Sequence, residues 1–155
     1  MSQKFAIDAC ALIEAGKIYN IKKKTFAPIW TKIDELIHEG RLISSCEVLE
    51  ELKDQDILIW AKQRREIFLP LNEPIQEKTR EILSRFPRII KIRGKKGDSN
   101  ADPFLIATAL LNDCTVVTNE KAGDESTGDW KIPNVCRQYN IECINLGNML
   151  DRMLD

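Results

Sequence analysis

The chain has 155 residues, 43% of them hydrophobic, which suits one domain with a buried core and excludes wholesale disorder. Lysine and arginine (23) nearly cancel aspartate and glutamate (24), so no global field points to a nucleic-acid or membrane-surface partner, although a local patch is compatible with that balance. Five cysteines (Cys10, Cys46, Cys114, Cys136, Cys143) form no C-x-x-C pair, and His38 is the only histidine; clustered zinc ligands are absent, and reduced thiols in apolar surroundings are expected.

Phe5 to Ile7 is a short apolar strand, and Ala9 to Ala15 continues as a helix with Leu12 and Ile13 inward. The basic run Lys22-Lys23-Lys24 breaks the pattern. Phe26, Ile29, Trp30, Ile33, Leu36 and Ile37 then recur at helical spacing, with Pro28 tolerable only in the first turn and Gly40 as the stop. Arg41 to Ser44 reads as a second strand and Cys46 to Lys53 as a helix. Asp56 is the expected cap of a helix through Trp60, and Pro74 opens another that ends at Phe86-Pro87. Segment 88–101 reads as a basic loop, in which Ile89, Ile90 and Ile92 leave open either a strand or packing onto a neighbour. Asp102 to Leu111 is a strongly apolar helix and Cys114 to Thr118 a buried strand. A polar loop from Gly123, a helix from Pro133 to Tyr139, a strand from Glu142 to Asn145 and a closing helix complete the chain. Strands separated by crossovers too long for hairpins predict an α/β fold, its parallel sheet covered on both faces, in a single domain.

The opening segment places Asp8 where a signal peptide needs an apolar run, and the charge-free segment near Phe104 to Leu111 falls short of the roughly 20 residues that span a bilayer. The expectation is a soluble cytoplasmic protein.

Single acids stand where short apolar segments end or begin: Asp8, Asp102 and Glu120, with Glu47, Glu50 and Glu51 on the helix after Ser44-Ser45. Each has an ordinary explanation. Asp8 and Asp102 suit helix caps, the latter with Pro103 behind it; Glu120 suits a solvated loop; the glutamates suit an exposed helix face. Acids at the carboxyl ends of several parallel strands, however, would meet in the crevice that open α/β folds use for ligands. Two carboxylates about 4 Å apart repel by roughly 4 kcal/mol at an effective dielectric near 20, so such a cluster calls for a cation.

These segments, in this order, resemble the PIN-domain ribonucleases, and more closely the PIN-like branch linked to bacterial toxin–antitoxin operons. The likeness rests on Phe5-Ala6-Ile7-Asp8-Ala9-Cys10, Ile43-Ser44-Ser45 leading to Val48-Leu49-Glu50-Glu51-Leu52, Ala101-Asp102-Pro103-Phe104-Leu105-Ile106-Ala107 and Val116-Val117-Thr118-Asn119-Glu120. It implies a three-layer α/β/α sandwich around a mainly parallel sheet of four or five strands. It also implies a Mg²⁺- or Mn²⁺-dependent ribonuclease, acting as the toxin of a toxin–antitoxin pair.

Carried over residue by residue, the family's first acid falls on Asp8, the second on Glu50 or Glu51, the third on Asp102 and the last on Glu120, with Thr118 or Asn119 as polar support. Cys10 departs from the amide or hydroxyl common at that position, and a thiol suits a hard cation poorly. Cations outside the acids would grip RNA: Lys22, Lys23 and Lys24, Arg64 and Arg65, and Arg93, Lys95 and Lys96. Trp130 is the aromatic residue best placed for such contact, whereas Trp30 and Trp60 belong to core patterns. The resemblance further implies an antitoxin partner and, as is common in the family, a homodimer. Two rivals stand beside the enzyme. One is a catalytically weak or inactive module of the same fold that binds RNA or protein. The other is a nucleotide-binding enzyme, for which no Gly-rich phosphate loop is present.

Overall fold

A computed structural model describes residues 3–90 and 100–153 of the chain. Among the described residues there are five strands and eight α-helices: β1 (Phe5–Ile7), α1 (Ala9–Ile18), α2 (Ala27–His38), β2 (Leu42–Ser45), α3 (Cys46–Glu51), α4 (Gln55–Lys62), β3 (Phe68–Leu69), α5 (Glu73–Arg85), α6 (Asp102–Leu111), β4 (Thr115–Val117), α7 (Ile132–Gln138), β5 (Cys143–Ile144) and α8 (Leu146–Met153).

The strands form one all-parallel sheet in the order β3-β2-β1-β4-β5. Phe5-Ala6-Ile7 and Thr115-Val116-Val117 are buried at every position, as strands covered on both faces must be. From β1 the chain steps to β2 on one side through α1 and α2. From β3 it crosses back through α5 and α6 to β4 on the other side of β1. Right-handed crossovers running in opposite directions put α2 and α6 on opposite faces, which makes the three-layer sandwich that the sequence predicts. Helix α6 is the central element of its layer, lying against β1, β2 and β4 and flanked by α3, α5 and α7. Its Leu105, Ile106 and Ala107 are fully buried, which explains an almost uniformly apolar helix.

Local chemistry sets most boundaries. Gly40, at φ +72°, ends α2 with its amide on the Ile37 carbonyl and the Arg41 amide on that of Leu36, the paired bonds of a Schellman cap. Trp30 and Trp60 meet edge to face in the core, their ring centroids 5.5 Å apart.

Four features differ from the sequence reading. Helix α4 is capped by Asp54, whose carboxylate accepts from the Ile57 amide at 3.4 Å, while Asp56 sits inside the first turn and pairs with Lys22. Asp102 is the first residue of α6 rather than its cap, because Ala101 already has helical backbone angles. Strand β3, Phe68–Leu69, is absent from the sequence reading, whereas Pro87–Ile89 forms a 3-10 turn with Ile89 buried. The thiols are free, but only Cys114 and Cys136 are buried; Cys10 is exposed.

Among the described residues no helix is long and apolar enough to cross a membrane.

Candidate functional site

Strand order reverses at β1: its two neighbours in the sheet are β2 on one side and β4 on the other. Ile7 pairs with Val117 and Val117 with Ile144, so Asp8, Thr118 and Asn145 leave the sheet at one level. This is the switch point at which open α/β sheets form their crevice.

Asp8 is 3% exposed and does two things at once. Its Oδ1 accepts from the Ala11 amide at 2.8 Å and so caps α1, while its Oδ2 accepts from the Thr118 hydroxyl at 2.5 Å. The cap expected of an isolated aspartate is therefore real and coexists with a cross-strand contact. Burial pushes the Asp8 carboxyl from 3.8 up to about 7; the two hydrogen bonds pull it down, and the nearby charges of Glu120 and Glu51 push it up again.

The other acids arrive from three elements. Glu51 ends α3 half-buried and within electrostatic reach of Asp8, whereas Glu50 on the same helix is exposed. Ser45 fixes the start of α3 by accepting from the Glu47 amide, and Ser44 donates to the Ile7 carbonyl at 2.6 Å, tying the end of β2 to the end of β1. Glu120 donates its own amide to Thr118 Oγ1 at 3.0 Å, and its Oε1 accepts from the Ile132 amide at the start of α7. Asp102 opens α6, and its charge, like that of Asp8, pushes the buried Cys136 thiol upward. Cys10 borders the same site: partial burial of its sulfur, then the Asp8 charge, pushes its thiol up to about 11, against a hydrogen bond from the Asn119 backbone.

The donor chemistry suits a hard divalent cation: carboxylate oxygens, with Asp8 already disfavoured as a bare anion by burial and like charge. Closure is a separate matter. Among the described residues, no three His, Cys, Asp or Glu side chains form a group that could hold a metal ion. Glu51 and Glu120 act on Asp8 as an open acidic cluster rather than a finished cage.

The basic candidates divide. Lys22, Lys23 and Lys24 are exposed, with Lys22 in a 3.3 Å ion pair to Asp56. Arg64 is committed elsewhere, gripping both oxygens of Asp34 at 2.6 and 2.9 Å and stacking 4.7 Å from the Trp60 ring centroid. Trp130 is half-buried with its ring 4.8 Å from that of Phe86, so packing occupies much of its surface. Arg93, Lys95 and Lys96 lie outside the described residues.

Sequence reasoning passed over Asn134. It is 2% exposed; its Oδ1 accepts from the amides of Gly123 and Lys131, and its Nδ2 donates to the Gly123 carbonyl and to Glu125. It thereby closes the loop that begins just after Glu120. An asparagine behind Pro133 in the first turn of a helix was the available signal. Asn119 does similar work, its Oδ1 accepting from the Leu146 amide at the start of α8.

Solved structures similar to this chain include the following two. PAE2754 from Pyrobaculum aerophilum is 15% identical with a TM-score of 0.51, the match covering 99% of this chain and 98% of that one. FitAcB from Neisseria gonorrhoeae is 19% identical with a TM-score of 0.49, covering 92% and 98% respectively. The first likeness shows a shared fold. No curated protein matches the chain. The model of a domain of unknown function, DUF4411, matches residues 5–154, nearly the full length, and the chain therefore belongs to the DUF4411 family.

Proposed function

We propose that this protein is a metal-dependent endoribonuclease of the PIN-like type, hydrolysing RNA phosphodiester bonds at the acidic site. The observation that carries the proposal is the buried Asp8 carboxyl at the sheet's switch point, held by Thr118 and repelled by Glu51 and Glu120. A buried carboxyl surrounded by like charge is costly unless a cation or proton compensates it.

Asp8, Glu51, Asp102 and Glu120 would hold Mg²⁺ or Mn²⁺, with Glu51 preferred over Glu50 because it is the one whose charge reaches Asp8. The ion, when bound, would lower the pKa of a water and neutralise charge developing on the leaving oxygen. The protein's own part is orientation. Thr118 and the Ala11 amide hold one oxygen of Asp8 each and so fix the orientation of the carboxylate. The contact between Glu120 and the first turn of α7 holds that carboxylate where it can position an attacking water. Lys22, Lys23, Lys24, Arg93, Lys95 and Lys96 would contact phosphates outside the acidic site, with Trp130 as an aromatic contact to RNA.

The toxin role, a cognate antitoxin that covers the acidic site and a homodimer belong to the same proposal and rest on the sequence resemblance; a cytoplasmic setting belongs to it too and rests on the composition of the opening segment. The direct test is purified protein incubated with mixed RNA plus Mn²⁺ or EDTA, beside Asp8→Asn and Asp102→Asn. Cleavage that needs Mn²⁺ and is lost in both variants is the expected result. Metal-independent cutting that persists in the variants would sink it.

A second reading has its own support. The lack of a closed ligand group among the described residues, with Cys10 beside Asp8, favours an RNA- or protein-binding module of the same fold that does not cut. Retained RNA binding with no cleavage by wild type under any divalent metal would select it.

A further inference from the structure

Two cavities adjoin beside the acids, and one aromatic residue belongs to both. A groove of about 510 Å³ is lined by Thr118 and Glu120 together with Ile18, Tyr19, Asn119 and Asn145. A more apolar cleft of about 710 Å³ lies between α2 and α8, walled by Pro28, Ile29 and Leu150, and it shares Tyr19, Asn145 and Gly147 with the groove. Ile18, 52% exposed, gives the groove an apolar wall. Among its described lining residues only Glu120 and Lys121 carry a charge, so most of that wall suits a flat neutral group rather than a phosphate.

The polar and aromatic groups of the groove are held in place. Tyr19 is half-buried; its amide donates to the Ala15 carbonyl at 2.9 Å, and its carbonyl accepts from the Trp30 indole at 2.6 Å. Phe26 meets its ring edge to face, with centroids 5.6 Å apart. A ring so fixed loses little freedom when another flat group stacks on it. Asn119 and Asn145 are anchored by their Oδ1 atoms, which accept from the Leu146 and Asn148 amides at 2.9 and 2.8 Å. Their Nδ2 groups make no hydrogen bond to any described residue, so the groove has spare donors that call for an acceptor such as a carbonyl oxygen.

We propose that Tyr19 is the stacking platform for one base of an RNA strand held at the acidic site, and that the Asn119 and Asn145 amides donate to that base's carbonyl oxygen. The subsite rests on the reading of the acids as an RNA site. Unpaired RNA bases are recognised by stacking on aromatic rings and by hydrogen bonds to their edges. Continuity identifies the occupant: Thr118, which lines the groove, also holds Asp8, and its hydroxyl accepts from the Glu120 amide. Cations for the adjoining phosphates are close in the chain. The exposed run Lys22-Lys23-Lys24 follows Tyr19 almost directly, and Asn20 Oδ1 fixes the turn between them by accepting from the Lys22 amide at 2.9 Å. Uracil, cytosine and guanine carry a carbonyl oxygen and adenine does not, so adenine is the disfavoured base.

Photocrosslinking tests the contact in the unaltered protein. The full chain is mixed with an iodouridine-substituted oligouridylate, with Mn²⁺ and separately with EDTA, then irradiated, digested with trypsin and mapped by mass spectrometry. Lys17 and Lys22 confine Tyr19 to the tryptic peptide 18–22, which is where the adduct is expected. Binding whose adducts all lie elsewhere overturns the subsite and leaves the nuclease reading intact; no binding in either condition overturns both. Two variants are then titrated by fluorescence polarisation in the condition where wild type binds. Tyr19→Leu keeps an apolar side chain against Phe26 and should weaken oligouridylate binding about tenfold. Asn145→Ser keeps an oxygen to cap α8 and should lower the preference for oligouridylate over oligoadenylate about fivefold. Unchanged affinity in the first removes the platform, and an unchanged preference in the second removes the amide contact. Should either variant fail to fold, the wild-type crosslink decides.

Discussion

The Thr118 hydroxyl donates to Asp8 Oδ2 at 2.5 Å although the two residues are 110 positions apart in the chain. The contact exists because β1 and β4 are neighbours in register, Ile7 beside Val117, so the next residue on each strand faces the other. It holds one buried carboxyl between a hydroxyl on one strand and the first turn of α1.

Stability should therefore depend on the protonation of Asp8. Folding raises its pKa from 3.8 to about 7, so the folded state binds the proton more tightly than the unfolded chain. The contribution is fully present below about pH 3.8 and is lost as pH rises toward and through 7. At about 1.36 kcal/mol per pH unit, the loss is on the order of 4 kcal/mol. Denaturation midpoints from pH 4 to pH 8 without divalent ions should fall more steeply in wild type than in Asp8→Asn. Equal slopes would show that Asp8 does not carry the effect.

Divalent cations should reverse the loss. At pH 8, Mn²⁺ at about a hundredfold excess over its dissociation constant should stabilise the folded protein by about 2.7 kcal/mol. Asp8→Asn should show at most a small part of that gain. Thermal melts with Mn²⁺ and with EDTA measure it, and identical wild-type curves would contradict binding at the acidic site.

Asn134→Ala should cost about 3 kcal/mol of stability, since it removes hydrogen bonds inside a buried pocket and orphans backbone groups of Gly123 and Lys131. Chemical denaturation reads this directly. A cost no larger than that of a typical surface substitution would mean that water replaces the amide.

If RNA contacts the exposed lysines, replacing Lys22, Lys23 and Lys24 together by alanine should flatten the salt dependence of binding. Loss of three single-strand phosphate contacts would reduce the log–log slope by about 2. Arg64→Ala should instead destabilise by about 1–2 kcal/mol while leaving that slope unchanged, because its guanidinium already serves Asp34 and Trp60. Filter binding across a salt series separates the two variants.

The parts of the fold readable in advance were those with local causes. Phe5 to Ile7 announces a strand buried on both faces, the three-and-four spacing from Ile29 to Ile37 gives α2, and Gly40 ends it with its positive φ. Strand β3 was missed because Phe68-Leu69 follows a polar run, and its place is set by pairing with Ser44 and Ser45. In the site, the positions of Asp8 and Glu120 at strand ends were visible in sequence. Which of Glu50 and Glu51 faces Asp8 was not, since that depends on how α3 is rolled against the sheet. Asn134 was hidden for a related reason: it acts through partners that only the folded loop brings near.

Both outermost strands, β3 and β5, are only two residues long. A sheet margin that brief exposes few unpaired backbone donors and acceptors, so a visiting strand would gain little by annealing there. The molecule is thereby guarded against lateral aggregation through its sheet, and the surfaces available for assembly with another protein are its helices and loops.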